Sequence, residues 1–250
     1  MAFSAWPLED VTMRIMVLIP AYNESANIGD VIHSVQSMYP GYDIVVVNDG
    51  SQDDTAARAR EAGAKVISHP FNMGYGVTIQ TGYKYALHRD YDFLVQIDGD
   101  GQHDPASIAG VLAPVLAGEA EFVLGSRFLD RDSYEPSLPR RIGMKFFRQL
   151  VSWCIGQSIT DSTSGFQAFN RQVIGFFTTE AFPCDYPDAD MLLTLHRSGY
   201  SLREIPVRMY ANTTGKSMHS GWRPFYYMFK MLLSLFVTLL RKREPGREEP

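Results

Sequence analysis

Cysteine is nearly absent from this chain, with two in 250 residues, Cys154 and Cys184. Two thiols make neither a disulfide framework nor a zinc cluster; as packed side chains they fit a reducing cytosol. A basic excess is missing too. The formal net charge is −5, so overall electrostatics give no reason to expect a nucleic-acid partner. The opening MAFSAWPLED has no basic start and no apolar stretch, which argues against a signal peptide. No uninterrupted run reaches the roughly 20 apolar residues that a bilayer-spanning helix needs. The nearest, Phe225–Leu240 (FYYMFKMLLSLFVTLL), is shorter and is broken by Lys230. On a helix Lys230, Ser234 and Thr238 form one thin polar stripe on an apolar cylinder. Such a segment is either a C-terminal core helix or a helix lying in a membrane interface, its Arg241-Lys242-Arg243 end facing anionic headgroups. Repeats, low-complexity tracts and Pro/Gly linkers are absent as well. One domain over about residues 1–220 is expected, followed by this helix and a charged tail over 221–250.

What is present suits a soluble globular protein with a real core: 45% of residues are hydrophobic and 20% charged. RIMVLI (14–19), DIVVVN (43–48), AKVI (64–67), FLVQI (93–97) and EFVLG (121–125) read as strands. Their unbroken Val/Ile/Leu character indicates burial on both faces, as in a mostly parallel sheet. Ile28, Val31, Ile32, Val35 and Met38 fall at helical spacing between the first two. Residues 53–62 and 75–88 also read as helices, with Ser51 as a cap for the former. A βαβαβ arrangement over about 14–125 follows. Beyond it, 140–154 and 188–198 read as helices, and SGFQAFN and LREIPVRMY as extended segments.

Sheets of this class bind ligands beyond the carboxyl ends of their strands. PAYNES, NDGSQDDT and DGDGQHDP all fall there. The third crowds Asp98, Asp100, Gln102, His103 and Asp104 together, with Gly99 and Gly101 between them to let the loop turn. Crowded carboxylates either form a solvated acidic turn or hold something positive. Oxygen donors without cysteine favour a hard cation, Mg²⁺ or Mn²⁺, that shares its shell with phosphate. His103 is the weaker donor and reads as structural. Asp49 ends the second strand, where it either accepts two N–H bonds from a nucleobase edge or caps its turn. Tyr22 can pack on a base and Glu24 can reach ribose hydroxyls. The glycines of NMGYGVTIQTG do not match the GxGxxG pattern of a dinucleotide site.

In this order, PAYNES, VVVNDGSQDDT, NMGYG, DGDGQHDP, GSRF and DSTSGFQAFN resemble family 2 glycosyltransferases of the GT-A fold. Within that family they are similar to the polyprenyl-phosphate sugar transferases, typified by dolichyl-phosphate mannose synthase. The resemblance runs from about Ile15 to Tyr210. It implies an α/β fold with a Rossmann-like, mostly parallel sheet flanked by helices, in which about 14–125 take the nucleotide-sugar and about 126–220 the acceptor. It also implies that Pro20, Tyr22, Glu24 and Asp49 hold the nucleoside, with Asp98 and Gly99 in the same corner. Asp98, Asp100 and Gln102 would hold the cation that bridges the diphosphate of a UDP-, GDP- or dTDP-sugar.

The acceptor side leaves two readings. A sugar hydroxyl needs a general base, and Asp188 and Asp190 open a helix where related enzymes carry an acid; the helix dipole alone also favours acids there. A polyprenyl phosphate is already ionised and needs cations instead. Arg127, Arg140 and Arg141 match basic positions of the resembled subgroup, with solvent-facing arginines as the plain alternative. Ser164 and Gly165 would shape this side of the pocket, Asp161 would orient Arg127 or cap a turn, and the loop around Lys216 would close over the diphosphate. An inverting hexosyltransferase with Asp100 and Arg127 as catalytic groups is expected, peripheral on the inner face of the cell membrane directly or through a partner protein; with a hydroxyl acceptor, Asp190 joins them as base.

Overall fold

The computed structural model describes residues 13–129, 148–183, 187–210 and 223–240. Seven strands form one sheet: β1 (Ile15–Ala21), β2 (Asp43–Asn48), β3 (Lys65–Ser68), β4 (Phe93–Gln96), β5 (Phe122–Ser126), β6 (Gln167–Asn170) and β7 (Leu202–Pro206), in the order β3-β2-β1-β4-β6-β5-β7. The pairs β1–β2, β2–β3 and β1–β4 are parallel. The sheet is mostly parallel, as expected; one strand the sequence did not place, β6, lies between β4 and β5 and is antiparallel to both, so β5 keeps the direction of β4 without pairing with it. Beyond it β5 and β7 pair in parallel. Reversing one strand brings its beginning to the edge where the others finish, so residues 163–166, just ahead of β6, join the loops after β1, β2 and β4.

The helices are α1 (Ile28–Met38), α2 (Thr55–Glu61), α3 (Tyr75–His88), α4 (Ile108–Leu116, preceded by a 3₁₀ turn at Pro105–Ser107), α5 (148–155), α6 (Arg171–Phe177), α7 (Ala189–Arg197) and α8 (Arg223–Leu240). Successive strand side chains alternate between two apolar layers, as the two-residue strand period demands. Val17, Ile19, Val46 and Val95 pack with α1, α2 and α4 on one face. Met16, Leu18, Val45 and Leu94 pack with α3, α5, α6 and α7 on the other. Helices α4 and α6 were not visible in the sequence. Pro114 sits inside α4, and α6 has only seven residues, but its start is marked by Asn170, whose side chain accepts from Val173 N at 3.1 Å. Ser51 does not cap α2. Its Oγ accepts from Asn23 N at 2.9 Å, while Asp53 accepts from Thr55 N at the head of that helix.

The second layer contains an aromatic cluster. Phe169 stacks on Phe122 at 5.8 Å between centroids and meets Tyr83 and Phe177 edge-on at 5.3 and 5.4 Å. Each of the four is buried. Phe169→Ala is expected to lower unfolding free energy by about 3–5 kcal/mol, read from the urea midpoint at unchanged slope.

Candidate active site

Three loops meet at the carboxyl edge of β1, β2 and β4. Those after β1 and β2 are laced together: Glu24 N donates to Thr55 Oγ1 (2.8 Å), Ser25 N to Asp53 Oδ2 (3.2 Å) and Gln52 N to Asn23 Oδ1 (2.9 Å). Tyr22 is exposed beside them, and Pro20 is buried in β1. Gly50 turns the second loop with φ +66°, and a Cβ there would lie 2.4 Å from the carbonyl carbon of Phe71. The chain after β3 therefore crosses directly over this turn. Asp49 pins it down, accepting from Met73 N (2.8 Å), Gly74 N (2.9 Å) and His69 Nδ1 (2.8 Å). In this arrangement Asp49 is buried, and both its oxygens are engaged by the protein rather than turned outward.

The loop after β4 is held from the far side. Tyr210 N donates to Gln102 O (2.8 Å), and His103 pairs with Met209 across an isolated antiparallel bridge. The buried His103 ring accepts from Asp98 N through Nδ1 at 2.9 Å. Burial drives its pKa down to about 4, so it is neutral and lends Asp98 no charge. Gly99 is buried against Ile28, with Pro20 O 3.4 Å from where a Cβ would stand. Asp98 faces Tyr75 and Gly165. Asp100 accepts from Gln102 N at 2.9 Å and from its amide, and with Asn27, Asp30, Gln102 and Tyr210 lines a cleft of about 250 Å³.

Burial raises the pKa of Asp98 to about 6, partly offset by the Tyr75 hydroxyl and the Arg127 charge. Asp100 is raised by burial and then by Asp98. Glu24 is raised by burial and, after relief from Asn27, by Asp100 and Asp98. Asp98 thus opposes the ionisation of Asp100, and both oppose that of Glu24. Among the described residues only the neutral His103 lies within ion-pair distance of any of them. No three acidic, histidine or cysteine groups among those residues form a metal cage by themselves. Two carboxylates and one amide nevertheless suit a hard cation whose remaining ligands are water and phosphate oxygens. The donor set fits Mg²⁺ or Mn²⁺.

Arg127 follows β5. Its Nε and one terminal nitrogen each donate to a carboxylate oxygen of Asp161 at 2.7 Å, and Thr163 Oγ1 accepts from it at 3.1 Å. Asp161, buried and accepting from the Arg127 backbone as well, therefore orients the guanidinium rather than merely capping a turn. Ser164 is buried, and its Oγ accepts from Phe166 N at 3.2 Å. Arg140, Arg141 and Lys216 lie outside the described residues. Asp190 is 3% exposed; its oxygens accept from its neighbour Met191 N and from Ser234 of α8. Asp188 instead reaches Tyr75 electrostatically. Tyr75 was not anticipated as a site residue; NMGYG drew attention through its glycines, and the tyrosine between them carried no recognisable signal.

A family model described as glycosyl transferase family 2 matches residues 16–176. The chain belongs to glycosyl transferase family 2. This family 2 enzyme is 30% identical over 229 residues to a polyprenol monophosphomannose synthase of Mycolicibacterium smegmatis, covering 88% of this chain and 86% of that one. It is 26% identical over 224 residues to an undecaprenyl-phosphate mannosyltransferase of Micrococcus luteus, covering 84% and 88%. Among solved structures, glucosyl-3-phosphoglycerate synthase of Mycobacterium tuberculosis in complex with Mn²⁺, UDP and phosphoglyceric acid aligns with a TM-score of 0.68 at 22% identity, covering 92% of this chain and 78% of that one. That likeness establishes the expected GT-A architecture here.

Asp190 supplies a test of its environment. Burial, first among the causes, carries its carboxyl from 3.8 to about 6, and Asp188 adds to the rise against the Ser234 hydrogen bond. A folded-state pKa above the unfolded value means that the native protein holds the proton longer. Stability from this group is therefore full below about pH 4 and lost as pH rises through about 6. Asp190→Asn is expected to gain up to roughly 3 kcal/mol over the parent at pH 8, with the difference shrinking toward pH 4, in urea titrations at several pH values.

Proposed function

We propose that this glycosyltransferase moves a hexose, with inversion, from a nucleoside diphosphate sugar to a polyprenyl phosphate. The observation that carries the acceptor assignment is the Arg127 guanidinium, fixed by Asp161 and close enough to lower the pKa of Asp98. A guanidinium held bidentately by a carboxylate keeps its charge in a fixed place, which suits it to meet a phosphate where two phosphorylated substrates would otherwise repel. The names of the relatives, a polyprenol monophosphomannose synthase and an undecaprenyl-phosphate mannosyltransferase, support the same class of acceptor.

In a single displacement, an oxygen of the lipid phosphate attacks the anomeric carbon while the bond to the nucleoside diphosphate breaks and its electron pair leaves with the diphosphate. The attacking oxygen is ionised at neutral pH, so no side chain has to remove a proton. Asp98, Asp100 and Gln102 would hold a Mg²⁺ or Mn²⁺ ion, which supplies Lewis-acid stabilisation of the charge gained by the leaving diphosphate. Glu24 and Tyr22 stand on the nucleoside side of that corner. Asp49 acts on the same side; with its oxygens as found, it acts by fixing the 69–74 loop against the base pocket.

The competing reading, a sugar hydroxyl acceptor with Asp190 as base, is disfavoured by the burial of Asp190 against α8. Asp100→Asn is expected to abolish transfer at saturating Mn²⁺ without unfolding the protein. Asp190→Asn is expected to leave turnover close to the parent's. A drop of several orders of magnitude would restore the hydroxyl reading, since loss of a positioned base typically costs about 10²–10⁴-fold.

Helix α8 supports a peripheral membrane position on the cytoplasmic side. It buries Leu235 and Thr238 but exposes Leu233, Phe236, Val237 and Leu240, and the basic triplet 241–243 follows it in sequence. Among the described residues no helix is long and apolar enough to cross a membrane. Phe236→Glu combined with Leu240→Glu is expected to release the protein from vesicles containing anionic phospholipid in a flotation assay. Equal binding by parent and variant, or by neither, would remove α8 as the membrane contact.

A further inference from the structure

Asp98 is approached by a chain of hydrogen bonds that begins in the aromatic core. The Tyr83 hydroxyl meets Gln96 Oε1 at 2.6 Å, Gln96 Nε2 meets the Tyr75 hydroxyl at 2.9 Å, and the Tyr75 hydroxyl meets Asp98 Oδ1 at 3.3 Å. The buried links of the chain have one available proton direction. Gly165 O lies 3.3 Å from Gln96 Nε2 and, being a carbonyl, can only accept. The amino end of Gln96 therefore faces Gly165 and Tyr75, and its carbonyl end faces Tyr83, which must donate. Tyr75 receives one amide N–H, so its own single proton is left to point at the carboxylate. Gln96 and Tyr83 are both 0% exposed, so water does not compete for either group.

The opposite side of Asp98 is equally restricted. A Cβ placed on Gly165 would lie 2.9 Å from Asp98 Oδ2, 3.0 Å from Oδ1 and 3.1 Å from the Tyr75 hydroxyl. The carboxylate thus lies directly against bare backbone, with Tyr75 on one oxygen and the His103 Nε2 edge 3.6 Å from the other. None of these neighbours brings a formal charge, which leaves the negative charge of Asp98 uncompensated by its immediate shell.

We propose that Tyr75 is a positioning residue for Asp98, delivering a core-anchored hydrogen bond through Tyr83 and Gln96 that fixes the carboxylate in the place from which it would hold the cation, while Gly165 provides the space in which the carboxylate sits. This rests on the cation reading given above. Tyr75 acts through Asp98, and its substitution changes ion affinity before it changes chemistry.

The test uses the full-length protein, Tyr75→Phe, and Gly165→Ala, which displaces Asp98 from the other side. Mn²⁺ binding is followed by loss of the free-ion EPR signal in the presence of whichever of UDP, GDP or dTDP raises the parent's melting temperature most. Outer-shell partners of metal ligands typically contribute about 10- to 100-fold in affinity, and a weakening in that range is expected for Tyr75→Phe. Its metal-free melting temperature should match the parent's, and excess Mn²⁺ should restore its kcat. Unchanged Mn²⁺ affinity in Tyr75→Phe overturns the positioning role while leaving the cation reading intact. If the parent itself takes up no Mn²⁺ with any of the three diphosphates, both fall together. Should Gly165→Ala not fold, Tyr75→Phe decides alone, since it removes one oxygen from a side chain that keeps its ring.

Discussion

Everything at this site depends on negative charge that the fold concentrates and does not neutralise. Glu24, Asp98 and Asp100 come from the ends of two neighbouring parallel strands; burial makes each harder to ionise, Asp98 adds to this at Asp100, and both add to it at Glu24. A folded protein tolerates such a cluster when a ligand completes it, because two close carboxylates repel by several times more near a protein surface than in water. On the function proposed above, donor binding and charge balance would be one event: a nucleotide's diphosphate would be as repulsive to these groups as they are to each other until a cation stood between them.

The rest of the edge can be understood as support for that corner. His103 holds the backbone of Asp98 while staying neutral, the 208–210 segment clasps residues 102–104, and the side chains of Asn23, Ser51, Asp53 and Thr55 lace the first two loops together. At Arg127 the same economy recurs with the sign reversed. Arg127 is placed by Asp161, and Asp161 in turn by backbone donors, its own N–H resting on Glu204 at 2.9 Å. A cation fixed in this way gives directional phosphate recognition with little side-chain entropy left to lose on binding.

Much of this was legible in the chain. Runs such as DIVVVN announce strands covered on both faces, and the acidic and glycine-rich punctuation after them marks the ligand-binding edge. What the sequence concealed was relational. Nothing in QAFN says that it inserts between β4 and β5 with reversed direction, because strand order is set by packing across the whole sheet. Asp188 and Asp190 look equivalent at the head of a helix, yet one adds only its charge to the surroundings of Tyr75 while the other bonds Ser234 of α8, 44 residues away. Tyr75 was hidden because a tyrosine between glycines has no motif, and its role appears only when Gln96 and Gly165 are brought alongside. The caps were misjudged for a similar reason: Ser51 is near its helix in sequence but nearer to Asn23 in space.

The reversed strand has one more implication. Since β5 ends and β6 begins at the same rim, Ser126 and Gln167 stand at one edge of the sheet although forty residues of sequence separate them. On the function proposed above, that interval of sequence would be the place to refit the enzyme to a new recipient of the sugar, with the paired strands on either side left as they are.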